Sequence, residues 1–176
     1  MTEEYLFQWS MNCLMIIREY SPEDTEQLVS LIADYRVSLA SLKSLVKRPD
    51  TDSAKSELQD YLSSRYSIYV ATDEDEIAGY LVCRIDDATV WAESLYVKPT
   101  MRRRGIGSSL YSNAETLAKE LGNDTVYNWV HPNNMGIISL LKKRGYDVLN
   151  LIEIRKEWQG ERISTTITVG NNEFKY

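Results

Sequence analysis

The stretch Glu93-Ser94-Leu95-Tyr96-Val97-Lys98-Pro99-Thr100-Met101-Arg102-Arg103-Arg104-Gly105-Ile106-Gly107-Ser108 decides the reading of this chain. It begins as a β-rich run, passes Pro99, and ends on a Gly-x-Gly step where apolar residues start to recur at helical spacing. A strand, a glycine turn and a helix start therefore meet here. Such a turn presents consecutive backbone N–H groups at the positive end of a helix dipole, and glycine permits both the bend and the close approach of a phosphate. No Gly-Lys-Ser/Thr closes the turn, as a P-loop requires, and the three spaced glycines of a dinucleotide fingerprint are missing. The anion it suits is thus another phosphate-bearing ligand; the plain alternative is a sharp turn carrying three solvated arginines.

Upstream of this stretch, residues 66–71, 77–85 and 89–97 read as three strands separated by the acidic turns 73–76 and Asp86-Asp87, and connections this short imply antiparallel neighbours. Before them, 14–20 reads as a strand entering a helix at Ser21-Pro22. Leu28, Leu31, Ile32, Tyr35, Leu39 and Leu42 form one apolar stripe along that helix, and Ala54, Leu58, Tyr61 and Leu62 mark a second, shorter one after Pro49. Downstream, Ile106, Leu110, Ala114, Leu117, Ala118 and Leu121 share a helical face that Gly122 caps. Residues 125–130 predict a strand, 133–144 a helix ended by Gly145, and 146–156 another strand. Residues 162–169 alternate Ile163, Thr165, Ile167 and Val169 and are expected to pair as a hairpin with 146–156 across a turn near Gln159-Gly160. The order β-α-α-β-β-β-α-β-α-β-β is that of a mixed α/β sheet, antiparallel in its first half, with helices on its faces.

A chain of 176 residues suits one core. Residues 15–176 are therefore read as a single domain and 1–14 as an N-terminal extension that need not be ordered. Hydrophobic residues at 43% and charged residues at 26% exclude a disordered or collagenous chain. The formal net charge of −6 opposes capture of a polyanion by the whole-molecule field, and no aromatic-interleaved basic strand surrounds Arg102, Arg103 and Arg104, so nucleic acid is not an expected partner. Two cysteines and one histidine make neither a disulfide framework nor a metal quartet. With acidic Glu3 and Glu4 near the start and an apolar run of only 13–17, the expected setting is cytoplasmic, away from membranes.

Arg102 through Gly107 fits R/Q-x-x-G-x-G/A, and Leu95-x-Val97-x-Pro99 precedes it at a strand end. This resembles the coenzyme A signature of the GNAT superfamily of N-acetyltransferases. Val130, Asn134, Gly145 and Tyr146 fit the spacing of a second cofactor motif of that superfamily, and the element order resembles its fold, here over about residues 14–157. The resemblance implies a helix/sheet/helix sandwich that uses acetyl-CoA as acetyl donor, without a metal, to acetylate a primary amine of a small molecule, peptide N-terminus or lysine by direct attack. It places the pyrophosphate on the N–H groups of Arg103, Arg104, Gly105, Ile106, Gly107 and Ser108, which would explain both glycines by close approach. The pantetheine arm would lie along Leu95, Tyr96 and Val97 and meet the side chain of Asn134, with Lys98, Arg102, Arg103 and Arg104 in reach of phosphates.

Glu93 opens a run that resembles the Glu-Asp-Leu-Tyr/Phe-Val of amine-acetylating members, whose glutamate serves as the base. Period two along the strand is expected to put Glu93, Leu95 and Val97 on one face and Ser94 and Tyr96 on the other; a solvent-facing strand glutamate is the bland alternative. The tyrosine usual seven residues after the motif asparagine is Leu141 here, which leaves the thiolate acid unassigned among Tyr96, Tyr127 and Tyr146 and keeps a noncatalytic acyl-CoA-binding sensor as the competing reading. His131 is expected to be a solvated or locally hydrogen-bonded loop residue. The final hairpin, followed by Phe174 and Tyr176, would leave a sheet edge that a second copy of the chain could cover, so a homodimer is expected.

Overall fold

The structure, a computed structural model, describes residues 15–161 and 163–176. The expected N-terminal extension at 1–14 and the hairpin residue Arg162 lie outside the described residues. Two compact units divide the chain, one ending at Gly145 and the other spanning Tyr146–Tyr176.

In the first unit, β1 (Ile16–Glu19), β2 (Ser67–Asp73), β3 (Glu76–Asp86), β4 (Thr89–Val97) and β5 (Tyr127–Asn128) form one sheet in that order. The first four are antiparallel neighbours, and β5 joins β4 in parallel. The helices are α1 (Thr25–Ser41), α2 (Thr51–Ser63), α3 (Ile106–Glu120) and α4 (Met135–Lys143). Asp24 anchors the entry to α1: its carboxylate accepts from the Ser21 N–H at 2.8 Å and from Arg18 of β1 at 2.7 Å. The guanidinium, more than burial, decides the balance and holds the Asp24 carboxyl below its ordinary value.

Leu28, Leu31 and Ile32 of α1 and Ala54, Leu58 and Tyr61 of α2 bury against Ile68, Val70, Tyr80, Val82 and Tyr96 of the sheet. The stripe predicted along the first helix is the one that enters this core. On β4 adjacent residues face different layers: Tyr96 packs on Tyr35 of α1, while Val97 lies beside Gly107 of α3. Leu110, Tyr111, Ala114 and Ala118 bury the sheet-facing side of α3. The three-layer α/β arrangement is thus present, with α1 and α2 on one face and α3 on the other.

The second unit corrects the predicted last hairpin. No strand forms over 146–161; the hairpin is β6 (Thr166–Val169) with β7 (Asn172–Lys175), closed around Gly170 at φ +60°. The letter order of elements survives because this later pair replaces the expected one. Large apolar residues of the irregular segment are exposed, among them Val148 at 86% and Leu151 at 76%. A strand needs a neighbour for its N–H and C=O groups, and alternation of residue types alone does not supply one. No helix among the described residues is long and apolar enough to cross a membrane.

Candidate active site

Two irregularities shape β4. The first is a bulge: Val82 pairs with Ser94 and Cys83 with Ala92, which leaves Glu93 as the extra residue. The bulge breaks the predicted alternation. Glu93 does not share a face with Leu95 and Val97; its carboxylate meets Arg84, which sits opposite Trp91, at 3.3 Å from the guanidinium Nε. Arg84 also pairs with Asp86 at 3.2 Å and lies over the rings of Trp91 and Trp129, at 5.1 and 5.3 Å from their centroids. Glu93 is therefore a half-buried, oriented carboxylate on the α1/α2 side of the sheet.

The second irregularity is a parting of strands. β5 pairs with β4 at only two rungs, Trp91 with Tyr127 and Ala92 with Asn128, and among the described residues no further rung forms beyond them. The Lys98 N–H donates to Ala78 of β3 at 2.9 Å. Since backbone groups alternate sides along a strand, Tyr96 and Ser94 bond toward β3, whereas Leu95 presents its N–H and C=O and Val97 its N–H at the open edge, the Val97 carbonyl accepting from Arg102. Tyr96 consequently contributes neither ring nor backbone to that edge.

The edge leads into the glycine turn. Pro99–Met101 form a single 3₁₀ turn, Arg103 takes φ +67°, and Gly105 takes φ +83° immediately before α3. Nothing lies within 4 Å of a Cβ built on Gly105, so glycine is required there by backbone conformation rather than by crowding. Ser109 is the first residue of α3 to donate back along the helix, to Gly105, which leaves the N–H groups of Ile106, Gly107 and Ser108 pointing out of the helix start. Gly107 meets a constraint the sequence did not show: a Cβ there would stand 3.2 Å from Leu140 of α4 and 3.7 Å from Val97, so its missing side chain admits a neighbouring helix.

The arginines separate. The Arg102 guanidinium donates to the Val97 carbonyl at 2.9 Å and lies over the Tyr96 ring, bracing the strand end. Arg103 and Arg104 are exposed beside the helix start, and Lys98 pairs with Glu76. Ser108 accepts from Arg144 through its hydroxyl at 2.7 Å and through its carbonyl at 3.2 Å. Asn134 caps α4 by accepting from the Ile137 N–H at 3.4 Å through its amide oxygen. His131 accepts from the Asn133 N–H through Nδ1 at 3.2 Å, and burial, aided by Lys43, pushes its ionisation down. Leu141 is buried, so no hydroxyl stands at that position. Among the described residues no group of three or more His, Cys, Asp or Glu could hold a metal ion.

Sequence reading identified Glu93 and the turn but missed Arg84, Arg144 and the partner of Ser94. Arg84 carried a weak signal, a charge on an otherwise apolar strand; Arg144 carried none, since a cation ending a helix is the ordinary complement of the dipole.

Residues 27–146 match the model of the acetyltransferase (GNAT) family. The uncharacterized N-acetyltransferase YvbK of Bacillus subtilis is 31% identical over 98 residues, spanning 55% of this chain and 63% of that relative's length. The PaiA N-acetyltransferase of Thermoplasma acidophilum, solved with coenzyme A, superposes with a TM-score of 0.64 at 21% identity over 74% of this chain and 88% of its own. The aminoglycoside N-acetyltransferase AAC(6')-Iy, solved with CoA, gives 0.66 at 14% identity over 85% of this chain and 99% of its own. With a family match running from α1 to the end of α4 and the same fold in both solved structures, the chain belongs to the GNAT acetyltransferase family.

Proposed function

We propose that this chain is an acetyl-CoA-dependent N-acetyltransferase that delivers acetyl to a primary amine by direct attack in a ternary complex. The observation that carries the reading is the continuity of two ligand-facing features: the open backbone edge of β4 at Leu95 and Val97 runs directly into the outward N–H groups of α3. A strand edge suits an amide-bearing arm and a helix start suits a pyrophosphate, in the order coenzyme A presents them.

When bound, acetyl-CoA supplies an activated thioester; the rest of the chemistry falls to the chain. Ile106, Gly107 and Ser108 N–H groups hold the pyrophosphate, with Arg103 and Arg104 adding charge. The open-edge groups of Leu95 and Val97, and the NH₂ of Asn134, align the arm. A backbone N–H of that edge polarises the thioester carbonyl. Glu93 takes the ammonium proton, directly or through water. The magnitudes favour a base over an acid: an amine near pKa 10.4 is neutral at pH 7 only at a cost of about 4–5 kcal/mol, whereas protonating a thiolate near 8.5 gains about 2 kcal/mol. Leu141 in place of a tyrosine therefore removes the smaller contribution.

Thiol release with a panel of small primary amines, peptide N-termini and lysine peptides tests the reading. Glu93→Gln is expected to lower turnover at least tenfold at neutral pH, with partial recovery at high pH as free amine accumulates, and to leave acetyl-CoA affinity within twofold. Leu141→Tyr is expected to raise turnover by less than about thirtyfold, the equivalent of 2 kcal/mol. A fully active Glu93→Gln would remove the base assignment. Reversing charge at Arg103 and Arg104 is expected to weaken acetyl-CoA binding at least tenfold in a salt-dependent way. The exposed apolar segment after Gly145 supports the further reading that the protein is a homodimer.

A further inference from the structure

Beneath the bulge of β4 lies a polar cluster in an otherwise apolar layer. Ser94, the residue after Glu93, is 1% exposed. Its hydroxyl is 2.8 Å from the hydroxyl of Tyr80, a fully buried residue of β3. The rings enclose these hydroxyls: Tyr35 meets Tyr80 edge-on at 6.4 Å and Tyr96 at 5.9 Å, and Tyr80 meets Tyr96 at 6.4 Å. The serine oxygen is thus tied to β3 beneath a ring supplied by α1.

Burying two hydroxyls costs more than burying methyl or phenyl groups unless each is satisfied, and a satisfied pair fixes one geometry where an apolar contact tolerates several. The geometry it fixes here is that of the backbone just past the bulge. A bulge adds a residue to one strand and leaves local orientation underdetermined by the ladder. Ser94 stands between the extra residue, Glu93, and the open-edge residue Leu95. A side chain tied to β3 at this point sets the direction in which the following N–H groups leave the sheet.

We infer that Tyr80 and Ser94, walled in by the Tyr35 and Tyr96 rings, form a positioning pair that aims the backbone N–H groups of the open β4 edge at the thioester carbonyl. The inference rests on the acetyl-CoA reading above and is independent of the role of Glu93. Tyr80 does not touch the ligand; it acts through Ser94.

Acetyl-CoA carrying ¹³C at the thioester carbonyl reports the effect directly, because a hydrogen bond to that oxygen lowers its infrared stretch. In the wild-type protein the bound band is expected below that of the free ligand. Tyr80→Phe and Ser94→Ala are each expected to abolish at least half of this displacement and lower turnover about tenfold on the best amine of the panel, with the acetyl-CoA Kd within twofold of wild type. The double variant is expected to lose no more than either single one. Ser94→Thr, which keeps the hydroxyl, is expected to retain the displacement, and Tyr66→Phe, outside the pair, to leave it unmoved. A displacement unchanged in both Tyr80→Phe and Ser94→Ala would overturn the inference. So would a loss accompanied by tenfold weaker binding or altered near-ultraviolet dichroism, which marks lost packing. Should Tyr80→Phe not fold, Ser94→Ala carries the test alone. An undisplaced wild-type band would remove the carbonyl contact and this inference with it; failure of the wild-type protein to bind acetyl-CoA would instead overturn the proposed function.

Discussion

The turn joining β4 to α3 and the segment following Gly145 are similar in sequence character but differ in structure. The turn follows, and the segment contains, an apolar, β-rich run, and each has a glycine at positive φ, Gly105 at +83° and Gly160 at +79°. In the turn every constraint is met within a short stretch: a parent strand paired to β3, a proline-started 3₁₀ turn, a left-handed glycine and a helix whose apolar face has a sheet to cover. In 146–161 the side chains alternate well enough to suggest a strand, yet none forms and its large apolar residues stand exposed. Pattern becomes structure where the backbone has a partner, and the two regions separate on that point alone.

The sharpest way to break the comparison is at the strand feeding the turn. A Cβ on Gly79 would lie 2.6 Å from the Tyr96 carbonyl oxygen, a backbone atom that cannot step aside. Gly79→Ala is therefore expected to cost about 3 kcal/mol in urea unfolding, and an unchanged midpoint would show that the β3–β4 ladder is looser than its register implies. Next comes the terminal segment. If a second copy covers it, Val148→Asp with Leu151→Asp should raise the dimer dissociation constant at least a hundredfold, about 2.7 kcal/mol, in sedimentation equilibrium. Acetyl-CoA binding should be untouched; a wild-type chain that sediments as a monomer at high micromolar concentration would refute the dimer.

A smaller effect is expected at the turn itself. Gly105→Ala places a Cβ in a left-handed conformation without any steric neighbour, so the cost should be confined to about 1–2 kcal/mol of backbone strain, read from thermal unfolding. The smallest concerns the α1 entry. Asp24 titrates below its ordinary value of 3.8 in the folded chain, so its contribution is complete above that value and is lost as pH falls through the lowered one. Asp24→Asn should cost about 1 kcal/mol at pH 7, and the gap between variant and wild type should stay constant down to pH 5 and narrow only below pH 4. A gap that instead closed near pH 6 would assign the stabilisation to another group.

Much of this was legible from residue order because the signals were local. The stripe on α1, the two acidic turns of the meander and the Gly-x-Gly step each report a constraint satisfied within a few residues. The site was half legible for the same reason. Glu93 and Gly105 stand inside a readable motif, but the face Glu93 occupies depends on a one-residue bulge set by the register of β3 against β4, and no alternation rule survives such an insertion. Gly107 was legible as necessary, but its packing against Leu140 was not, since Leu140 comes from a helix more than thirty residues onward. Arg84, Tyr80 and Tyr35 were invisible as partners because their meaning lies in what the folded sheet brings beside them.

Arg144 carries a mechanical consequence. From the end of α4 its guanidinium reaches the hydroxyl of Ser108 at 2.7 Å, that of Ser112 at 2.9 Å and the carboxylate of Glu115 at 3.0 Å. Those three residues fall at steps of four and three along α3, a single line parallel to its axis. A side chain fastened along such a line resists rotation of the helix about its own axis far more than it resists sliding. Each residue of an α-helix turns its amide through about 100°, so a roll of even a fraction of that angle would swing the outward N–H groups at the helix start off their target. Arg144 is thus a torsional lock on α3, added to the Tyr111–Asn128 hydrogen bond of its sheet-facing side, and it helps the helix keep one bearing toward its ligand.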